Sequence, residues 1–216
     1  MASPAAVAST VPRDKRGRIL DAALERFAHY GYRRTSMEDI AQVAGISRAA
    51  LYLHFKNKEE IFRALARTLH ERAIADAAVA ARRPGSVALQ LQQALEAKLG
   101  PFFAIVHGNA HGRELLDENS RICGDISEEF RQQHLAILRR VIDAATKNGD
   151  LKPSRAGLNA TSAAEMLLDA AKGIETSGAT APTPASYQRR LAQLVAVLVL
   201  GLGGTTATAS RKTQRR

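Results

Sequence analysis

The stretch from Ser36 to Phe55, SMEDIAQVAGISRAALYLHF, admits few folds. Ser36 stands directly before MEDIAQVA, and Asp39 lies three positions on, a variant of the Ser-x-x-Glu box in which two residues satisfy each other's exposed amides at a helix start. Gly45 supplies a turn, and Ser47 can accept a hydrogen bond from the open amides of a further helix. The pattern predicts one short helix over Met37–Val43 and a second from Ser47 to about Leu53, joined by a glycine corner. The second carries Arg48, Tyr52 and His54 over little apolar bulk, as a helix pressed against a partner would.

A longer helix precedes this pair. From Asp14 onward, Ile19, Leu20, Ala23, Leu24, Phe27 and Ala28 recur at intervals of three and four, giving one apolar face, and Gly31 closes the helix. After the pair, Asn57 and Glu60 repeat the capping logic and start an alanine-rich helix reaching about Arg83, where Pro84 and Gly85 interrupt it. Further apolar periodic segments follow at about 87–107, 112–119, 126–148, 158–176 and 185–203, separated by GNAHG, ICGD, NGDLKPSRAG and TSGATAPTPAS. No segment alternates in the manner of a strand, and no internal repeat is present. The expected class is all-α, with about nine helices.

Composition narrows the setting. A chain of 216 residues is long enough to bury a core in one or two domains. Its single cysteine, Cys123, cannot pair internally, which points to a reducing cytoplasm. The N-terminal MASPAAVAST has no basic region before Arg13, unlike a secretory leader, and the apolar run Leu194–Gly204 is shorter than the roughly 20 residues that cross a bilayer, so no membrane partner is expected. Lysine and arginine number 31 against 21 acidic residues, a net charge of +10, which favours an acidic partner such as nucleic acid. Much of the excess lies away from the N-terminal segment, four charges of it at Arg211, Lys212, Arg215 and Arg216, so charge alone locates no site.

Two short helices joined at a glycine and braced by a longer amphipathic one describe a helix-turn-helix, whose second short helix enters the major groove. Ala49 and Ala50 let the backbone approach the bases, Arg48 can reach a guanine edge, and Leu51 and Phe55 turn back into the core. At Arg18–Leu65, RILDAALERFAHYGYRRTSMEDIAQVAGISRAALYLHFKNKEEIFRAL, the chain resembles the TetR family of transcriptional regulators.

The resemblance implies a division into a disordered tail at 1–13, a DNA-binding head at 14–61, an effector-binding and dimerisation domain at 62–204 and a basic disordered tail at 205–216. It implies that Ser36 caps its helix and touches a phosphate. Ser47, Arg48, Ala49 and Ala50 would stand at the mouth of the groove, Tyr52 and His54 would contact backbone phosphate or the nearest base, and Lys58 would add a phosphate contact. Many members carry glycine where this chain has Ala49, so the methyl limits approach or meets a thymine methyl.

Beyond about residue 70 the resemblance is architectural. A homodimer on a double-stranded palindromic operator is implied, with Leu191, Leu194, Val195, Leu198, Val199 and Leu202 at the subunit interface. Phe102, Phe103, His107, Leu115, Phe130, Met166 and Asp169 are the pocket candidates for a small hydrophobic effector, being on apolar faces of the middle helices. The function implied is a ligand-responsive regulator, a repressor released by its effector. The other reading is a helical small-molecule-binding or enzymatic bundle whose helix-turn-helix is only a packing element.

No metal, cofactor or catalytic residue is expected. His107 and His111 have the spacing of a metal pair, but Gly108 and Gly112 interrupt the helix that would align them, leaving two solvated loop histidines. Cys123 has neither a base nor an oxyanion turn beside it and is expected to be a buried small residue.

Overall fold

The computed structural model describes residues 14–176 and 183–205. The tail expected at 1–13, and all but Thr205 of the one expected at 205–216, lie outside the described residues. Among those described, nine α-helices and one 3-10 turn follow each other with no strand. They are α1 (Lys15–Tyr30), α2 (Met37–Val43), α3 (Arg48–His54), α4 (Lys58–Ala80), α5 (Val87–Gly108), α6 (Gly112–Ile122), α7 (Gly124–Lys147), the 3-10 turn Pro153–Ala156, α8 (Ala160–Thr176) and α9 (Pro184–Gly201). The all-α expectation holds. The local signals act as expected: the Asp14 carboxylate accepts from the Gly17 amide at 2.7 Å, Ser36 and Asp39 form the reciprocal box, and Asn57 Oδ1 accepts from Glu60 N at 2.8 Å.

The chain forms two compact units. The first runs to Ala73 and takes in Gly100–Arg131; the second comprises Ile74–Leu99 and the chain from Gln132. In the first, α1 packs on α2 and α2 on α3. Ile19, Leu20, Phe27, Ile40, Leu51, Phe55 and Ile61 are buried there. Phe27, Tyr32 and Phe62 form a ring cluster with centroids 5.4, 5.6 and 5.1 Å apart, the tilted and edge-on arrangement that aromatic quadrupoles favour.

The turn from Gly31 to Thr35 gathers polar contacts from several directions. Gly31 adopts φ 84° and ψ 157°, a region open essentially to glycine, and Thr35 Oγ1 donates to its carbonyl at 2.8 Å. Lys58 Nζ then donates to three carbonyls, those of Tyr32 at 2.7 Å, Thr35 at 2.9 Å and Arg33 at 3.3 Å, and sits 4.4 Å from the centre of the Tyr32 ring. An ammonium has three protons, and each has a partner here. Burial draws the Lys58 pKa below its ordinary value against the opposing field of Glu118 and Glu114.

From α6, Glu114 Oε1 accepts from the Arg33 amide at 2.9 Å. The buried Glu118 accepts from Arg121 at 2.8 Å and Arg33 at 2.9 Å, bonds that hold its carboxyl below the usual range. Farther along α4, Arg63 bonds the Ile122 carbonyl and both Asp125 oxygens, and Arg67 bonds Glu129. Arg63 lowers Asp125 to about 2. These two exposed pairs orient α4 against α7 and contribute little stability individually.

The second unit buries Leu91, Leu95, Leu138, Ile142, Leu167, Leu168, Leu191, Val195 and Val199. Helices α8 and α9 pack together, and the Lys152 amide donates to the Leu202 carbonyl at 2.7 Å, tying the turn after α7 to the end of α9.

Two substitutions test the turn. Gly31→Ala places a Cβ 2.3 Å from Glu114 Oε2 and forces a disallowed φ, so it should destabilise the chain by about 2 kcal/mol in urea unfolding followed by circular dichroism. Lys58→Met leaves three carbonyls without their charged donor, and a similar loss, about 2 kcal/mol, is expected from the same measurement.

Candidate nucleic-acid interface

Helix α3 is seven residues long and is anchored on one side only. Leu51 and Phe55 are at most 1% exposed, whereas Leu53 is 87% exposed. Their spacing leaves the opposite face of α3 to solvent, and the polar residues singled out in the sequence lie on that open side: Arg48, Ala49, Tyr52 and His54 are exposed and Ala50 is half-buried. The Arg48 guanidinium lies 3.7 Å from Glu38 and 5.7 Å from the centre of the Tyr52 ring, so it is oriented by neighbours yet remains 62% exposed in its side chain. A planar fork held at the first turn of an open helix can pair with two acceptors on a guanine edge.

The two capping serines differ chemically. Ser47 Oγ accepts from the Ala50 amide at 3.1 Å, which uses an acceptor lone pair of the hydroxyl. Ser36 Oγ accepts from Asp39 N at 3.1 Å and also donates its proton to Asp39 Oδ2 at 2.7 Å. Its role as cap is plain, but a phosphate, which only accepts, would have to take that proton from Asp39. These bonds lower the Asp39 pKa and keep the carboxylate charged as the competing acceptor.

Lys58 needs a correction. It was expected to contact phosphate, but its ammonium is engaged by the Tyr32, Arg33 and Thr35 carbonyls. It closes the turn between α1 and α2. The residues that brace this turn from α6, Glu114 and Glu118, went unnoticed in the sequence, because their bonds to Arg33 span 81 and 85 positions.

The pocket candidates separate. Phe102 and Phe130 flank the ring of buried His70, with centroids 4.6 and 5.1 Å away, and the His107 ring lies 4.4 Å from Phe103. With buried Leu115, these belong to the first unit. Met166 and Asp169 do not share their character. The apolar face of α8 is Ala163, Ala164, Leu167, Leu168 and Ala171, and Met166 and Asp169 fall on the opposite side, with Met166 54% exposed.

Four of the six interface candidates on α9 and at its end also need correction. Leu191, Val195, Val199 and Leu202 are at most 1% exposed and are core of their own unit, while Leu194 and Leu198 are half-buried. The apolar side chains that α9 leaves open are Val197, 70% exposed, and Leu200, 56% exposed. An all-round apolar helix does need cover, and here the chain itself supplies most of it.

His107 is helical and half-buried, not a loop residue, while His111 stands in the expected turn but is half-buried and lies 3.3 Å from Glu114. Among the described residues no group of three or more histidine, cysteine or acidic side chains could hold a metal ion. Cys123 is buried as expected, and desolvation pushes its thiol up to about 11, which leaves it unreactive. No described helix is long and apolar enough to cross a membrane.

Known proteins share these features. Residues 19–65 match the family model for bacterial regulatory proteins of the tetR family. The HTH-type transcriptional activator FasR of Mycolicibacterium smegmatis is 28% identical over 164 residues, covering 75% of this chain and 73% of that protein. The HTH-type transcriptional regulator TtgR of Pseudomonas putida is 44% identical over 59 residues, only 27% of this chain and 28% of that one, so its likeness is confined to the head. Among solved structures, SmeT, the repressor of the Stenotrophomonas maltophilia multidrug efflux pump SmeDEF, superposes with a TM-score of 0.64 at 22% identity, covering 87% of this chain and 90% of its own. The seated α3 with its open polar face, the braced glycine turn and these likenesses agree: residues 19–65 are a helix-turn-helix head of the TetR family of transcriptional regulators, and the chain around them has the fold of SmeT.

Proposed function

We propose that the protein is a ligand-responsive repressor that binds a palindromic operator as a homodimer in the cytoplasm and releases it when a small, largely hydrophobic effector binds. The observation that carries this reading is the one-sided burial of α3, with Leu51 and Phe55 inward and Arg48, Tyr52 and His54 outward. In this reading residues 14–61 contact DNA and 62–204 bind effector and dimerise. Arg48 reads base edges, Ser47, Tyr52 and His54 meet phosphate, and Ala49 and Ala50 permit close approach. Ser36 and Lys58 hold the helices in place. The sign of regulation is supported by SmeT, named a repressor, and opposed by FasR, named an activator; transcript levels on deletion of the gene decide it, a rise in neighbouring transcripts marking repression.

A second copy of the chain suits both the exposed Val197 and Leu200 on α9 and the arithmetic of half-sites, since two weak contacts on one palindrome multiply. Effector binding acts by favouring one of two dimer geometries, and α4, which runs from Lys58 to Ala80, is the element whose tilt would differ between them.

Two measurements test this reading. With a duplex selected by the protein from random sequence, affinity should fall steeply as salt rises. Arg48→Ala should cost about 1–3 kcal/mol on the selected site and little on random duplex. A protein whose helix-turn-helix is only a packing element would show neither behaviour. In sedimentation velocity at micromolar concentration the wild type should run as a dimer, and Val197→Glu with Leu200→Glu should run as a monomer with unchanged helicity.

A further inference from the structure

The two short helices of the head begin with opposite charges side by side. Glu38 lies in the first turn of α2, and Arg48 is the first residue of α3. Asp39, the other acid of that turn, is engaged by the Ser36 box and lies 3.4 Å from Arg26. Glu38 instead faces Arg48, with Oε2 3.7 Å from Nη1, and the Tyr52 ring flanks the same guanidinium from its own helix at 5.7 Å. Both partners stay open, the Glu38 side chain 76% exposed and that of Arg48 62%. A carboxylate on the face offered to a polyanion opposes binding to every duplex. Its effect through Arg48, however, differs from one contact to another.

At 3.7 Å the pair is a charge contact and not a close hydrogen bond. Arginine carries five N–H donors, and a contact at one nitrogen leaves Nε and Nη2 able to donate in parallel. A guanine edge presents two uncharged acceptors to that fork, and taking them leaves the guanidinium beside Glu38. A phosphate attracts the same guanidinium by charge, wherever it lies in the sequence. To follow that pull, Arg48 must leave Glu38 or bring the carboxylate against the phosphate. The carboxylate therefore penalises the sequence-independent contact more than the base contact.

We propose that Glu38 sets the selectivity of this head by holding Arg48 for a base edge and denying it to phosphate. Glu38 is a positioning residue that acts through Arg48 and touches no base. The assignment rests on the reading of Arg48 as the base reader, and it adds the residue that makes that reading selective.

The test measures binding of the full chain by fluorescence anisotropy on the selected duplex and on random duplex, across a salt series, for the wild type, Glu38→Gln, Arg48→Ala and the double variant. Glu38→Gln keeps the shape and removes the charge. It should bind random duplex at least about threefold more tightly, with a salt dependence steeper by about one contact, while the selected site gains less. The ratio of selected to random affinity then falls. In the Arg48→Ala background the same change should leave that ratio where it is, since Glu38 has no arginine to hold. A ratio unmoved by Glu38→Gln, or moved equally with and without Arg48, would overturn the proposal. A Glu38 that only steadied α2 would lower the urea midpoint and weaken both duplexes alike, which also overturns it. The single Arg48→Ala variant separates the two readings: a relaxed preference there with no response to Glu38→Gln defeats the role of Glu38 alone, whereas an intact preference defeats Arg48 as reader and Glu38 with it.

Discussion

A helix of seven residues is too short to persist in water by its own hydrogen bonds, so α3 exists because something holds it. Its support is narrow: Leu51 and Phe55 bury one side, and Ser47 closes the first turn. That seat determines which side chains remain available. With Leu51 and Phe55 inward, the same helix must present Arg48, Tyr52 and His54 outward, and a change that loosened the seat would alter DNA recognition without touching a residue that meets DNA.

The seat in turn depends on the preceding turn. Gly31 takes a conformation that other residues resist, and the carbonyls it leaves pointing together are gathered by the Lys58 ammonium. Because Lys58 is the first residue of α4, one side chain ties the start of that helix to the α1–α2 turn, and Glu114 and Glu118 reach the same turn from α6. A cation that resembled a phosphate ligand is therefore an internal clasp. The chemistry is the same in both readings, an ammonium among oxygen acceptors, and only the source of the oxygens differs.

How much was legible in the residues follows from range. Ser36 with Asp39, Ser47 with Ala50 and Asn57 with Glu60 act within a single turn, so their types at that spacing suffice. Apolar periodicity separated the buried Leu51 from the exposed Tyr52 for the same reason. It failed where a helix is rich in small or apolar residues on several sides. On α8, Ala163, Ala164, Leu167, Leu168 and Ala171 take the inward face, and Met166 falls opposite them. On α9, periodicity marked the stripe of Leu191, Val195, Val199 and Leu202 correctly as needing cover, but could not say whether cover comes from the same chain or another.

The sequence by itself determined the all-α class, the order of helices, the corner at Gly45 and the polar face of α3, since propensity, capping and turn chemistry act between near neighbours. Only the tertiary structure decided that Lys58 closes a turn 23 residues away and that Arg33 is held by Glu118 at a separation of 85. Those pairings depend on how helices meet, and a helix exerts no influence along the chain on which distant helix will cover it.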